Sequence, residues 1–355
     1  MRARAVFIPY VLSRIIVIAA LEGTRHVFTT LHIGEPLALR DGLSGWDASW
    51  YADIARGGYG AVPKEGLRFF PLFPLVGKVV AYAPGVNVRH GNLIVANLCA
   101  LALGFVVYEL AMRERHDAPL ARRAVWLVYL LPPAFVLVMG YAEAMFMLLV
   151  AIVLLAMRDR RWLLAGIAGL LAGITRPIGA LLVIPVAVEA WRRRAWTGFV
   201  AAVMPVVGGL GYLAWAEHRS HQFFYPLRAQ QDKARRGKWV DPVRAIGHSI
   251  HETFSGDHVS AGIHVISAIV LIGLIVVLAR RWPLSYTLYA GAVLFVALSS
   301  RNLDSLERYA LSAVPFVLAG ADLMRDDNVD RTVSALAVAG LVIASVLAFT
   351  QVLVP

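Results

Sequence analysis

A long polar segment early in the chain reads Gly45-Trp-Asp-Ala-Ser-Trp-Tyr-Ala-Asp-Ile-Ala-Arg-Gly-Gly-Tyr-Gly60, followed after seven residues by Arg68-Phe-Phe-Pro-Leu-Phe-Pro74. It comes after an apolar N-terminal segment and places the acid Asp47 beside the aromatic Trp46. Most of the remaining chain is hydrophobic, so few other places are left for polar chemistry. We therefore predict a helical membrane protein whose functional groups lie at the membrane surface.

The composition is that of a polytopic membrane protein. Of the 355 residues, 59% are hydrophobic and 16% are charged, whereas soluble domains average about 25% charged residues. Because the polar surface is too small for a separate soluble domain, we predict a single membrane domain over residues 1–355. The net charge of +11 is explained by topology, since Lys and Arg accumulate on the cytoplasmic side of membrane proteins. No nucleic-acid partner is expected.

Apolar segments of the length that crosses a bilayer recur along the chain, about 20 residues each. The first covers 5–21 and is predicted to be retained, because Arg14 interrupts it and no small-residue cleavage site follows. Arg14 either faces a cavity or pairs with an acid inside the bundle. Together the segments predict an all-α, multi-span bundle with about eleven crossings. The later segments are 92–112, 124–139, 142–157, the short pair 162–174 and 178–191, 196–216, 262–279, 283–298, 306–324 and 333–354.

The basic residues predict how these segments are oriented. Loops on one side carry arginine pairs and triplets and the short loops on the other side almost none, which is a positive-inside pattern. It places the N-terminus in the cytoplasm and two long loops, 22–91 and 218–261, on the outer face. The first loop is predicted to hold a short amphipathic helix over 47–54 and an interfacial or re-entrant piece over 69–83. The cytoplasmic arginines are Arg2, Arg4, Arg113, Arg115, Arg122, Arg123, Arg158, Arg160, Arg161, Arg192, Arg193, Arg194, Arg280, Arg281, Arg325 and Arg331.

Asp47 is the first candidate for a catalytic group. It lies beside Trp46 and close to Tyr51, at the level of an aromatic belt, where partial burial raises the pKa of a carboxylate and makes it a better base. Asp is also a preferred helix N-cap, and a short helix is predicted to begin here, so both interpretations stand. Asp53 is predicted to pair with Arg56 on a solvated surface.

Two further candidates lie where helices are predicted to reach the outer face. Glu143 follows Tyr141 at the edge of an apolar span; it is either functional or an acid that the helix dipole favours in a first turn. Arg176 precedes Pro177 at a hinge between two short helices. Its guanidinium suits a phosphate group, although a buried ion pair, for example with Glu143, is the alternative.

Arg308 and Tyr309 lie at the predicted outer start of a later helix. Like Arg176, they are candidates for binding a phosphate group. Arg68 directly precedes the apolar run that begins at Phe69, so it is placed to meet an anionic lipid headgroup, unless it is a solvated loop charge. Two or three arginines at this depth, together with an acid, indicate a lipid-linked phosphate as ligand.

The second outer loop contains acids and histidines that deserve consideration as metal ligands. His248, His251 and Glu252 put two imidazoles on one helical face, and Asp257 and His258 follow. The spacing matches no closed zinc motif. We therefore expect no metal and no cofactor. The same loop is strongly basic, which indicates either an anionic acceptor or the membrane surface.

The ordered set of motifs resembles the PIG-V family of GT-C integral membrane mannosyltransferases, which in eukaryotes add the second mannose of the GPI anchor. The resemblance spans roughly residues 40–320, and the chain looks like a bacterial relative. The matching pieces are Gly45-Trp46-Asp47 with Trp50-Tyr51 and Gly58-Tyr59, Phe69 to Pro74, Pro133-Ala134 leading to Tyr141-Ala142-Glu143, Gly173 to Gly179, the loop from the aromatic residues at 223–225 through Gln230 to Trp239, and Ser305 to Tyr309 leading to Pro315-Phe316.

The resemblance implies a GT-C helical bundle with its active site on the outer face. It implies a polyprenyl-phosphate sugar as donor, most often mannose, and transfer with inversion. Asp47 stands where the catalytic acid of these enzymes is expected, so it would take the proton of the acceptor hydroxyl. Arg176 and Arg308 would then be candidates for holding the departing lipid phosphate. The acceptor, whether glycolipid, glycan or protein, does not carry over.

Two other classes of function remain open at this point. A transporter or lipid flippase is expected to show broken helices, polar groups near the bilayer midplane and internal repeats. The break at 175–177 fits that expectation, but no repeat is visible and the polar groups cluster at one face. In a non-catalytic scaffold subunit, Asp47 would only cap a helix. Within the enzyme interpretation, Asp53 or Glu143 stays an alternative base.

Overall fold

The computed structural model describes residues 2–232, 236–255 and 261–354. Within these ranges the chain is helical, with 81% of residues in helices and no strands, so the predicted all-α class is confirmed. The helices are α1 Arg2–Thr30, α2 Leu37–Asp41, α3 Asp47–Gly57, α4 Leu72–Val80, α5 Val88–Arg115, α6 Ala118–Leu130, α7 Glu143–Arg158, α8 Trp162–Thr175, α9 Val183–Arg192, α10 Trp196–Ser220, α11 Tyr225–Arg228, α12 Pro242–Ser255, α13 Ala261–Arg281, α14 Leu284–Leu298, α15 Leu306–Ser312, α16 Val314–Leu323 and α17 Asp327–Phe349.

The chain folds as two compact units made of interleaved segments. In the first unit α1 packs against α5, α6 and α17, and in the second α10 packs against α8 and α9 while α14 packs against α9, α13 and α15. The single membrane domain predicted over residues 1–355 stays a prediction. The first unit consists of Met1–Arg56, Phe73–Met145 and Gly320–Pro355, and the second of Gly57–Leu72 and Phe146–Ala319.

Among the described residues, five helices are long and apolar enough to cross a membrane: α1, α5, α10, α13 and α17. The shorter helices α8, α14 and α16 are also apolar. Large apolar side chains such as Ile15, Val200 and Ile266 are exposed on the long helices, as expected where a helix faces lipid instead of water. The predicted count of about eleven crossings stays a prediction.

The first helix is longer than the sequence predicts. It continues from the predicted end at residue 21 to Thr30, because Glu22 and Arg25 pair at 2.8 Å across one turn and extend it as a polar end. Helix α5 begins at Val88, where the side chain of Asn87 accepts a hydrogen bond from a backbone N–H and caps the helix. The predicted first loop, 22–91, is therefore shortened to 31–87.

Prolines divide two of the predicted spans. In the span predicted over 124–139, α6 ends at Leu130 and the 3₁₀ turn Pro132–Leu137 follows, because proline lacks the N–H that would continue the helix. The span predicted over 306–324 is split into α15 and α16. The predicted hinge at 175–177 is confirmed: α8 ends at Thr175, and a 3₁₀ turn leads into α9.

Arg14 donates to a set of neutral acceptors inside the first unit, and among the described residues no acid pairs with it. Its guanidinium donates to the side-chain oxygen of Asn97 at 3.1 Å, to the carbonyl oxygen of Leu137 at 3.0 Å and to the hydroxyl of Ser13 at 2.8 Å. It also lies 3.8 Å from the ring centre of Tyr10. These contacts join α1 to α5 and to the turn after α6, so the residue has a structural role.

Small residues let α8 and α10 approach each other closely. A Cβ atom on Gly173 would lie 2.0 Å from the carbonyl oxygen of Pro205, and one on Gly208 would lie 2.3 Å from the carbonyl oxygen of Leu170. Neither position can therefore hold a side chain without moving a backbone, as at other close crossings of membrane helices. The contact sets the direction in which α8 ends, just before Arg176.

Candidate active site

The first unit places the predicted base at the start of α3. Asp47 is the first helical residue and half-buried, so its carboxylate lies where the helix dipole favours negative charge. Its backbone N–H donates to the phenol oxygen of the buried Tyr141 at 3.3 Å. The two loops concerned are also joined by the N–H of Gly140, which donates to the carbonyl oxygen of Leu43 at 3.0 Å. The structure thus brings Asp47 and Tyr141 together.

Trp46 sets the direction in which α3 begins. Its φ of 56° is in the left-handed region, which is rare for a bulky residue and costs about 1–3 kcal/mol. The indole N–H donates to the carbonyl oxygen of Ala348 in α17 at 3.0 Å. This anchor holds the bend in place, and the bend aims the first turn that carries Asp47.

Tyr51 and Glu143 are buried in the same unit. Tyr51 packs edge-to-face against Phe73, with 5.0 Å between the ring centres, and so joins α3 to α4. Glu143 is 2% exposed and is the first residue of α7, the position that the dipole interpretation predicts. Of the predicted acids, Asp53 is different: it is exposed and pairs with Arg56 at 2.9 Å, as predicted.

The second unit brings two of the predicted phosphate-binding residues together. Arg176 is only 7% exposed and has an extended backbone between α8 and the turn that follows. Its guanidinium carbon lies 5.1 Å from the ring centre of Tyr309 and 5.8 Å from that of Phe146. Such cation–π contacts orient a guanidinium plane. A cation is therefore held at low exposure beside a phenol.

Arg308 precedes Tyr309 in the short helix α15. One of its terminal nitrogens donates to the hydroxyl of Ser305 at 3.4 Å, a long hydrogen bond. Ser305 itself adopts a φ of 66° at the start of the helix. Arg308 is half-buried, so the short helix presents an arginine and a tyrosine at successive positions.

A buried histidine ties α15 to α13. Nδ1 of His264 lies 2.9 Å from a carboxylate oxygen of Glu307, and Nε2 lies 3.6 Å from a carboxylate oxygen of Asp304. The sequence-based hypotheses do not include this cluster. The one available signal is that His264 interrupts an apolar stretch, where polar residues are costly and usually have a role.

Arg68 ends a 3₁₀ turn of the second unit, and its guanidinium carbon lies 4.5 Å from the ring centre of Phe69. Two phenols hold the backbone at this point. Tyr212 donates to the carbonyl oxygen of Leu67 at 2.8 Å, and Tyr59 donates to that of Phe69 at 2.5 Å. Burial, followed by the proximity of Tyr212, raises the pKa of Tyr59 far above its usual range, so this phenol stays a donor at physiological pH.

Arg236 also contacts Tyr309, although the sequence predicts it only as part of a basic loop. Its guanidinium carbon lies 4.5 Å from the ring centre of Tyr309, and Nη2 donates to the carbonyl oxygen of Ala297 at 2.7 Å. Nothing in the sequence separates Arg236 from its basic neighbours. Of these neighbours Lys238 is exposed, whereas Lys233 and Arg235 lie outside the described residues.

One histidine of the second loop, His248, makes a local contact. His248 and Glu252 pair at 3.1 Å across one turn of α12, while Asp257 and His258 lie outside the described residues. Within the described part of the chain, no group of three His, Cys, Asp or Glu side chains is arranged to hold a metal ion.

Comparison with solved structures shows which fold the chain adopts. ArnT from Cupriavidus metallidurans in the apo state has a TM-score of 0.53 at 16% identity, and ArnT bound to undecaprenyl phosphate has 0.52 at 15%; each comparison covers 87% of this chain and 72% of ArnT. The archaeal oligosaccharyltransferase AglB from Archaeoglobus fulgidus gives 0.47 at 12%, over 97% of this chain and 55% of AglB. The sequence matches no curated protein. The fold is that of the GT-C multi-pass membrane glycosyltransferases.

The chain belongs to glycosyltransferase family 87, whose model matches residues 71–303. The predicted enzyme class, a glycosyltransferase, is thereby confirmed. The matched range includes Glu143, Arg176 and Arg236, whereas Asp47 and Arg308 lie outside it. The narrower resemblance to the PIG-V family, which concerns the sugar, stays a prediction.

Proposed function

We propose that the protein transfers a sugar, in the first instance mannose, from a polyprenyl-phosphate donor to an acceptor hydroxyl at the outer face of the cell membrane, with inversion. Membership of glycosyltransferase family 87 supports the transfer of a sugar. The donor class is supported by the similar fold of ArnT, which has been crystallised with undecaprenyl phosphate. The PIG-V resemblance supports mannose.

The reaction transfers one proton and releases one leaving group. The acceptor oxygen attacks C1 of the sugar from the side opposite the phosphate, the bond between C1 and the phosphate oxygen breaks, and the configuration at C1 inverts. Asp47 accepts the proton of the acceptor hydroxyl as general base. The lipid phosphate departs as a monoester that carries the electron pair of the broken bond.

The observation that carries the donor class is the buried guanidinium of Arg176 beside Tyr309. Arginine presents a planar set of N–H donors that matches a phosphate group. Held at low exposure, such a cation stabilises the charge that develops on a departing phosphate. We propose the same role for Arg308. Arg68 is proposed to contact the lipid headgroup region.

The proposal includes no metal and no cofactor, because the donor brings its own leaving group and arginines supply the positive charge. The acceptor is a glycolipid, a glycan or a protein. Trp46, Tyr51, Tyr141 and Glu143 are proposed to shape the sugar and acceptor side of the reaction in the unit that carries Asp47.

The first test compares sugar transfer by the wild type and by Asp47→Asn. The purified protein in lipid is supplied with radiolabelled polyprenyl-phosphate mannose and an extract of host acceptors. Asparagine keeps the shape of the side chain and removes the base, so transfer is expected to fall by about 10²- to 10⁴-fold. Asp53→Asn is the matched control: it lies in the same helix, is exposed and pairs only one turn away, so near wild-type transfer is expected.

Equal transfer by Asp47→Asn and wild type would assign the base elsewhere, with Glu143→Gln as the next variant. If the folded wild type transfers no sugar from any polyprenyl-phosphate donor, the proposed function is wrong, and a transporter or scaffold role is favoured.

A further inference from the structure

A cavity of about 280 Å³ lies beside Tyr309 in the second unit. Its walls come from the turn after Arg176, the end of α14 and the segment 236–239. Side chains such as Ile178 and Leu181 make much of the lining apolar, whereas Arg236 and Gln230 are polar. Small-molecule pockets range over about 300–1,000 Å³, so this one holds a part of a lipid-linked sugar and not the whole molecule.

One nitrogen of the Arg236 guanidinium is hydrogen-bonded to backbone carbonyls, whereas another lacks a hydrogen-bond partner among the described residues. Nη2 donates to the carbonyl oxygens of Ala297 and Val296, at 2.7 Å and 3.2 Å, and so binds the last carbonyls of α14. Nε is buried and has no hydrogen-bond partner among the described residues. Buried donors are nearly always paired, and an unpaired one is unfavourable until an acceptor arrives.

Two cations contact the phenol ring of Tyr309, which lines this cavity, and one of them, Arg236, also lines it. The guanidinium carbons of Arg236 and Arg176 lie 4.5 Å and 5.1 Å from the ring centre of Tyr309. The carbonyl end of α14 carries a partial negative charge, which offsets part of the positive charge of Arg236. The remaining field favours an anion, and a phosphate monoester with two negative charges suits two arginines better than a carboxylate does.

The segment that carries Arg236 is held by its backbone. The N–H of Asn302 donates to the carbonyl oxygen of Arg236 at 3.0 Å, and the N–H of Arg301 donates to that of Lys238 at 3.1 Å. Between them Gly237 adopts a φ of 69°, where a Cβ would lie 3.1 Å from the Cβ of Arg301. The backbone therefore positions this arginine at the cavity before any ligand binds.

We propose that the cavity binds the phosphate and the first isoprene units of the lipid carrier, with Arg236 as a phosphate-binding residue. This inference rests on the proposed function and gives its donor a location. The apolar wall at Ile178 and Leu181 suits the isoprene chain, and the end beside Arg236 suits the dianion. An apolar wall with Arg236 in the same lining, and Arg176 on the ring of Tyr309, select a polyprenyl monophosphate over inorganic phosphate or an uncharged lipid.

Binding of undecaprenyl phosphate and of undecaprenol to the purified full-length protein in nanodiscs tests this site. The loss of a hydrogen bond to a charged group lowers affinity by about 10- to 100-fold. We therefore expect Arg236→Gln to lower the affinity for undecaprenyl phosphate by that factor and to leave the affinity for undecaprenol unchanged. Lys238→Gln removes the same charge from an exposed position two residues away, and its affinities are expected to equal those of the wild type.

A second variant acts from the opposite wall. Leu181→Trp fills the apolar part of the cavity and leaves the contacts of Arg236 with α14 in place. We therefore expect it to lower the affinity for both undecaprenyl phosphate and undecaprenol. If Arg236→Gln folds and binds undecaprenyl phosphate with wild-type affinity, the inference is wrong. If Arg236→Gln does not fold, wild-type affinity for this lipid in Leu181→Trp overturns the inference instead. A wild-type protein that does not bind undecaprenyl phosphate overturns it as well.

The two proposals fail separately. Arg236-dependent lipid binding by a wild type that transfers no sugar supports the cavity and rejects the proposed transfer. Transfer by Arg236→Gln with an unchanged KM for the donor rejects the cavity and leaves the transferase proposal standing.

Discussion

At the scale of single residues, the proposed base is positioned by its neighbours. Trp46 makes a left-handed bend that an indole hydrogen bond to Ala348 holds in place, and the next residue, Asp47, opens α3. Tyr141 accepts the N–H of Asp47, which is one of the donors that a helix start leaves without an intrahelical partner. The carboxylate thus owes its position to two aromatic side chains.

Removing the Tyr141 hydroxyl tests this arrangement. In Tyr141→Phe the N–H of Asp47 loses the phenol oxygen as acceptor in a half-buried setting, so we expect a loss of about 0.5–1.5 kcal/mol in stability and a fall in the kcat of sugar transfer. The exposed Tyr82 of the same unit provides the control, since Tyr82→Phe removes a hydroxyl from the surface. The midpoint of thermal unfolding and kcat are measured for both. Unchanged values in Tyr141→Phe would show that this contact does not position the base.

At the scale of elements, helix packing fixes the arginines. The close crossing of α8 and α10 fixes the position of α8, and the extended backbone of Arg176 follows its last residue. The contact of His264 with Glu307 ties α15, which carries Arg308 and Tyr309, to the long helix α13. The long helices α10 and α13 thereby support Arg176, through α8, and Arg308, through α15.

The crossing predicts opposite outcomes for two glycines. A Cβ on Gly173 would lie 2.0 Å from a backbone oxygen, whereas one on Gly211 of α10 meets nothing within 4 Å. Gly173→Ala is therefore expected to destabilise the protein by about 1–3 kcal/mol through overpacking and to reduce transfer by displacing Arg176. Gly211→Ala is expected to be neutral or stabilising, since alanine is the better helix former by about 1 kcal/mol. Thermal unfolding in one detergent compares them, and equal midpoints would contradict the prediction.

At the scale of the whole molecule, the orientation in the membrane is the main prediction. The arginine-rich loops are expected in the cytoplasm and the loop that carries Lys64 outside. Because the chain has a single cysteine, Cys99, a Cys99→Ser background allows cysteines to be placed one at a time.

Two exposed positions test this orientation with a membrane-impermeant thiol reagent on intact cells. Lys64→Cys is expected to be labelled directly, and Arg122→Cys only after the membrane is opened. The Cys99→Ser background alone gives the blank. The reverse labelling pattern would place the proposed active site in the cytoplasm and exclude the orientation.

The sequence by itself determined the features that depend on local chemistry. The all-α membrane class follows from the length and frequency of apolar segments, and the hinge before Arg176 follows from Pro177, which cannot continue a helix. The start of α3 at Asp47 follows from an acid placed before an amphipathic pattern. Even here the polar extension of α1 to Thr30 and the split of the spans predicted over 124–139 and 306–324 depend on contacts and prolines that a hydropathy window averages out.

The tertiary structure alone decided which distant groups meet. Trp46 and Ala348 are 302 positions apart, and His264 reaches Glu307 on another helix. Arg236 contacts Tyr309 whereas its basic neighbour Lys238 remains exposed, a distinction that residue type and spacing do not carry. The physical reason is that such pairs depend on how whole helices pack: close crossings such as that of α8 and α10 are set by shape complementarity along their length, and the positions of the arginines follow from that packing.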